Sequence, residues 1–583
     1  ITGMPFSDTS SSGSCLPAIT GLCILTVFGV VVLISTLQPP VPTSSVAHIH
    51  SYPAFRDGGN AVQGEALARS NSAKKLVDSI LRIKQGTLKS DTSILVSKAL
   101  QDKDEPSTRK QNEGFRPPIV ESLFHPGNKR CDREFGYESL VAWNETTAAF
   151  CSSSNSAQRS SLYCASTVVP FLRMATRPHA FCTSENLVLD LSLASEKAAC
   201  LKHRPGYKCD SADFRMYRSG ALQLACQLTP NFGLNKFPAD HLRDIFDGLR
   251  AVDSLPRADV QLDEQITWLL VTRENGEYAN LFHAMSDVVS AFGATFMAGL
   301  SLDQTRVLLL DSHSPGPYDD VWLMFGGKPA LRLDSLGNKR VHIKHAVFVP
   351  PGYSNLLLAV DDVFHSCDAE LDLLKDFRSA TLSALHISPS LRTDVECVAD
   401  GEFITTQDPE ADCGVSQIDN VITVIARRPY NKFVQHSFIG RMIGNEEQLL
   451  RTMTAAAPAN TLVLMVDMAQ ISFADQLRLV AQSDLLVGMH GAGLAHGLFL
   501  PSYAGVLELL PRFDTDFWKC HQFIAGWRGL VRERWANSDI SKFSQDSSGD
   551  STIVDSKQVA DISMRMLQTV VQRREDGVGS GLA

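Results

Sequence analysis

Leu485–Pro501 reads LLVGMHGAGLAHGLFLP. A short apolar run of strand length leads into His490-Gly491-Ala492-Gly493, and an apolar helical pattern resumes at Leu494. Such a continuous run suits a strand buried on both faces, as in a parallel sheet covered by helices. Without Cβ atoms the glycines let backbone come close to a ligand, and the N–H groups at a helix start suit an anion such as a diphosphate. A bare Gly-x-Gly is most often a tight strand–helix turn with no ligand. The flanking strand, the histidine and the apolar continuation make this stretch more specific.

The pattern repeats around it. Val421–Ala426 reads as a strand, Asn445–Ala456 as a helix, Thr461–Asp467 as a strand, Phe473–Gln482 as a helix and Gly505–Leu510 as a further strand. This alternation marks a doubly wound α/β domain. Another alternation lies upstream, with strands at Gln265–Thr272, Arg306–Asp311 and Val341–Pro350 and helices at Tyr278–Ala291 and Asp368–Leu385. Two such domains in tandem place a cleft between them, and open sheets of this kind bind ligands at the carboxyl ends of their strands. The expected layout is an N-terminal domain over 119–387, a linker over 388–417, a ligand-binding C-terminal domain over 418–545 and a tail over 546–583.

Composition bounds the class. A chain of 583 residues with 44% hydrophobic and 20% charged content is one that mostly folds, and its net charge of −10 disfavours nucleic acid as partner. Ala18–Leu37 is an apolar, charge-free run of 20 residues, about the length that crosses a bilayer as a helix. We read it as a membrane anchor behind a short cytoplasmic tail, 1–17, with a cleaved signal peptide as the alternative. Residues 38–118, rich in Ser, Pro, Lys and Asp, read as a stem with one short helical pattern, AKKLVDSILRIKQ. Seven of the 13 cysteines lie within Cys131–Cys226 and lack the CxxC pairs of zinc sites, so disulfides in an oxidising lumen are expected. Asn144-Glu145-Thr146 is an N-glycosylation sequon and agrees with a lumenal body.

The glycine stretch resembles the signature of glycosyltransferase family 61, which includes plant core β1,2-xylosyltransferases and animal N-acetylglucosaminyltransferases acting on EGF-like domains or O-mannosyl glycans. Further segments fall in the family's order. Asn280 with His283 resembles its Asn-x-x-His motif, Ala426-Arg427 its Ser-Arg, Arg441 with Asn445-Glu446 its Arg-x-x-x-Asn-Glu, and Gly505–Leu510 with Glu508 its following strand. The likeness covers about Glu264–Trp527; Ala426 replaces the usual Ser, and the loop from Arg428 to Gly440 is long. The two-domain pattern is then the GT-B type of architecture, two Rossmann-like domains facing across a cleft. The resemblance implies inverting transfer from a UDP-sugar, UDP-N-acetylglucosamine or UDP-xylose, to a hydroxyl of a glycan or glycoprotein. It implies a single-pass type II protein of the Golgi or endoplasmic reticulum membrane, with its body in the lumen.

The residue types suit that chemistry. Departure of UDP develops negative charge, which needs cations or N–H donors. Arg427 and Arg441 have forked guanidinium groups that match phosphate, while Arg428 is either a third cation or simply solvated. His490, Gly491, Ala492 and Gly493 are placed at the donor, with His490 on phosphate or holding the turn. Glu508 takes either ribose hydroxyls or a structural hydrogen bond. Asn280, His283 and Asp287 are spaced along one helical face. Asn280 is placed with the donor contacts, and His283 or Asp287 is the general base, unless Asn280 and His283 are capping or packing groups. Asp514-Thr515-Asp516 is a DxD but reads better as a helix cap before Phe517-Trp518, so no obligatory protein-bound metal is expected. The alternative class is an inactive, transferase-like lumenal scaffold or glycan-binding protein.

Overall fold

A computed structural model describes residues 25–27, 30–32, 129–152, 159–167, 179–195, 215–229, 245–273, 278–352, 357, 370–387, 418–428, 439–512, 519–545 and 549–577. The segments up to residue 32 and those from 129 onward belong to separate compact units, each described by itself. In the first, Leu25–Val27 and Val30–Val32 pair as an antiparallel ladder. These six extended residues are the described part of the run read as an anchor. The β-branched Thr26, Val27 and Val30 to Val32 favour that conformation. Among the described residues no helix is long and apolar enough to cross a membrane. The stem and the linker over 388–417 lie outside the described residues.

The N-terminal half of the larger unit is built on β1 (Thr267–Val271), α1 (Leu281–Met297), β2 (Thr305–Leu309), β3 (Leu331–Arg332), β4 (Arg340–Phe348) and α2 (Asp372–Ala384). β1 runs parallel to β2 and β4, and β2 to β3, as the sequence pattern suggested. Beyond β4 the sheet turns antiparallel: β4 pairs with His179–Asp190, that strand with Ser161–Thr167, and that one with Ala148–Ser152. The cysteine-rich region is therefore an extension of the sheet. Cys164–Cys182 links residues directly opposite in two of these strands, Cys151–Cys226 secures the outermost, and Cys131 is disulfide-bonded as well. Asn144 of the sequon donates from Nδ2 to the Met297 carbonyl at 3.1 Å, tying this region to the end of α1.

The C-terminal half holds β5 (Asn420–Ile425), β6 (Ile439–Ile443), α3 (Glu446–Ala456), β7 (Thr461–Val466), α4 (Phe473–Val480) and β8 (Leu485–Met489). It continues with β9 (Gly505–Leu510), α5 (Cys520–Trp527), β10 (Val531–Ala536), β11 (Gly549–Thr552) and α6 (Ser556–Glu575). Five parallel strands lie in the order β7-β5-β8-β9-β10. Every residue of β8 and β9 is buried, and apart from Glu508 none of them carries a charged or polar side chain. Chain progression reverses between β5 and β8, so their carboxyl ends open a crevice. After β8 the chain forms a 3₁₀ helix, Ala492–Phe499, where an α-helix was expected. Residues 549–577, read as a tail, are part of the fold: β11 pairs with β6, and α6 buries Val559, Met566 and Val570.

The two halves share one apolar cluster. It joins Leu269, Val271, Met285 and Val289 of the first to Leu494, Leu498, Phe499 and Ile524 of the second. At the far end of the 3₁₀ helix two buried arginines take its last carbonyls. Arg378 Nε donates to Phe499 O at 3.0 Å, and Arg528 donates to Leu498 O at 3.2 Å and Leu500 O at 3.1 Å. Glu370 pairs with Arg528. Carbonyls left over at a helix end carry partial negative charge, which these cations neutralise. Burial, and then the nearness of Arg528, push Arg378 down to about 10.

Candidate functional site

At the crevice, the segment leaving β5 lies against the loop leaving β8. A Cβ on Gly491 would overlap the Arg427 guanidinium. One on Gly488 would come 3.3 Å from the Ile425 side chain, and one on Gly493 would come 3.2 Å from it. The glycines are thus needed for Ile425 and Arg427 to pack on the loop. Within the loop Ala492 and Gly493 are partly exposed, whereas His490 and Gly491 are buried. His496 sits between the Gly493 carbonyl, 2.7 Å from Nδ1, and Gln476 Oε1, 2.9 Å from Nε2, and so fixes the loop to α4.

Arg441 arrives on β6 with a left-handed φ of 66°, at a register break between Ile439 and Met442 opposite β11. Bulges re-aim a side chain, and a left-handed arginine persists only where its surroundings enforce it. Burial lowers its pKa, while Asp550, Cys520 and Glu508 act in the opposite direction, which puts these groups around it. Its motif partners support the site from outside. Asn445 accepts from Val554 N at 2.8 Å and donates to Val554 O at 2.9 Å, latching the chain that leads into α6. Glu446 forms a two-pronged pair with Arg428, which is an exposed ion-pair partner.

Glu508 has the most constrained side chain in the site. It is fully buried on β9; Oε1 lies 2.6 Å from His490 Nδ1, and Oε2 accepts from Arg534 Nε at 2.5 Å and Gln522 Nε2 at 3.0 Å. Burial alone would raise its pKa, but the His490 hydrogen bond and the surrounding charges outweigh that and hold it at about 2. An ionised carboxylate only accepts, so His490 carries its proton on Nδ1. Of the two roles read for Glu508, the geometry supplies the structural one: it orients His490. Glu508→Ala is expected to cost about 3–5 kcal/mol in denaturant unfolding, because it strands buried partners. Its native pKa is depressed, so its contribution is complete above the ordinary carboxylate range and fades as pH falls toward about 2.

Across the crevice, Asn280 caps α1 by accepting from Phe282 N at 3.1 Å. His283 is one of the α1 residues that reach the surface. Asp287 is buried and accepts from Gly352 N at 3.0 Å. Behind them Arg273, also buried, is held by Asp311 at 2.7 Å and Asp319 at 3.2 Å. The two sides meet through α5: His521 lies edge-to-face with Phe282, 5.7 Å between centroids, and with His490, 5.0 Å. His521, Gln522 and Arg534 carried no motif, and only their three-dimensional contacts reveal them. Among the described residues no group of three or more metal-ligating side chains gathers, and Asp514-Thr515-Asp516 lies outside them.

Comparison with known proteins covers the same region. The Glycosyltransferase 61 family model matches residues 281–507. The beta-1,2-xylosyltransferase of Arabidopsis thaliana is 26% identical over 313 residues, 50% of this chain and 55% of that protein. EGF domain-specific O-linked N-acetylglucosamine transferases of Rattus norvegicus and Gallus gallus are each 25% identical over 260 residues, 44% of this chain and 42% of theirs. The chain thus spans about half the length of the curated relatives it matches. From the start of α1 to within β9, residues 281–507, the chain is similar to glycosyltransferases of family 61.

Proposed function

We propose that the chain transfers a sugar, N-acetylglucosamine or xylose, from a UDP-sugar to a hydroxyl of a glycan or glycoprotein. The observation that carries this reading is the contact of Arg427 with Gly491 at the strand-order switch, inside the region that the glycosyltransferase 61 family model matches. A forked cation there, backed by the N–H groups of Ala492 and Gly493, suits a diphosphate leaving group. Arg441 adds a second cation, so the reading requires no protein-bound metal. In an inverting transfer the acceptor oxygen bonds to the anomeric carbon as the bond to phosphate breaks. The electron pair leaves with UDP, and the hydroxyl proton passes to a base. His283 is the candidate base, because its ring reaches the surface while Asp287 is buried on Gly352. The two halves then act as the lobes of a GT-B transferase. Disulfides in the extended sheet support a lumenal body, and the apolar run 18–37 supports a type II anchor in the Golgi or endoplasmic reticulum.

The test is UDP release by the full chain from a panel of UDP-sugars, with UDP binding by calorimetry. Arg427→Ala and Arg441→Ala should each weaken UDP by about 10- to 150-fold, the worth of one charge-assisted contact. Lysine at either position should restore only part of the affinity. Unchanged UDP affinity in variants of normal thermal stability would make these arginines structural.

A further inference from the structure

His521 lies outside the matched region, yet its ring touches both sides of the crevice. It packs edge-to-face on Phe282, at the start of the helix that carries His283, and on His490, whose loop holds Arg427. The residue is 3% exposed, Nδ1 is shielded from solvent, and no described residue hydrogen-bonds either ring nitrogen. Buried polar atoms in native proteins are almost always partnered, by protein, water or ligand. Beside it, the Glu508 carboxylate accepts from His490, Gln522 and Arg534 and not from His521.

We propose that His521 is a specificity residue for the transferred sugar, hydrogen-bonding a hydroxyl or acetamido group where donor and acceptor meet. A migrating sugar must lie beside both the departing diphosphate and the incoming hydroxyl. His521 touches a residue from each side of that position. Burial pushes the ring's pKa down to about 3, so it is uncharged at neutral pH and suits neutral sugar groups better than phosphate. Both possible partners on a sugar can donate as well as accept, so either tautomer serves.

The proposal rests on the donor-site reading above, and one experiment separates the two. The full chain is titrated with UDP and with UDP-N-acetylglucosamine and UDP-xylose, and transfer is measured for each. His521→Phe keeps an aromatic ring between Phe282 and His490 but removes both nitrogens; His521→Gln loses the ring but restores a hydrogen-bonding group. The expected result is UDP affinity near wild type in both. The extra affinity of the preferred UDP-sugar over UDP should fall about 10-fold in the Phe variant and be partly recovered in the Gln variant. A ring that only packs, or whose nitrogens only hold water, predicts the reverse: Phe normal and Gln impaired, or both normal. Either outcome overturns the proposal. Failure of the wild-type chain to bind UDP would instead remove the donor-site reading itself. If one variant does not fold, by thermal melting, the other still decides.

Discussion

Gly491→Val should abolish measurable UDP binding, a loss of more than about 100-fold, in a protein that still folds. Already the first carbon of the new side chain occupies the position of the Arg427 guanidinium. Arginine is flexible and can swing aside, which is why folding survives. The swing removes the forked cation from the crevice, and the valine methyls stand where diphosphate must approach the N–H groups. Two losses then combine, each worth on the order of 1.5–3 kcal/mol. Calorimetry with UDP beside a thermal melt reads both quantities. Normal UDP affinity in the valine variant would refute the assignment of this loop to the donor.

His283→Ala should leave UDP affinity within about twofold and lower turnover by about 10²–10⁴-fold, the usual worth of a positioned general base. A histidine acts as a base only in its neutral form, so the wild-type rate should rise with pH as the ring loses its proton, and the alanine variant should lose that limb. Asp287→Ala behaves differently. Its carboxylate is buried on the Gly352 N–H, so its removal should lower thermal stability first. Near-normal turnover of His283→Ala with saturating acceptor would place the base elsewhere.

Strands such as Leu485–Met489 and Thr267–Val271 were readable because they are buried and nearly continuously apolar, and Gly505–Leu510 coincides with the observed strand. The 3₁₀ helix after Gly491 was harder, since Ala, Gly, Leu and His suit either helix and packing between the halves decides. The antiparallel extension was unreadable: its strands, such as HAFCTSENLVLD at His179–Asp190, mix polar and apolar residues, and disulfides hold what periodicity does not. Arg441 was legible as a cation, but its bulge depends on β11, more than a hundred residues later in the chain. Glu508 illustrates the limit most clearly. A carboxylate at a strand end near a cleft suggests a ligand contact, yet every residue of that strand faces inward and its partners come from α5 and β10.

The arginine joint bears on how this protein can be re-engineered. The 3₁₀ helix begins at the glycine loop and ends under Arg378, a residue of the other half. An N-terminal half that lacks a counterpart of Arg378 would leave the Phe499 carbonyl without its hydrogen-bond donor, and one with a different apolar face would mismatch the shared seam. A productive chimaera has to carry α1 and α2 together with the surface of Ala492–Phe499 that they cover. The modular unit for recombination is therefore smaller than a half, and its boundaries follow the seam and not the linker.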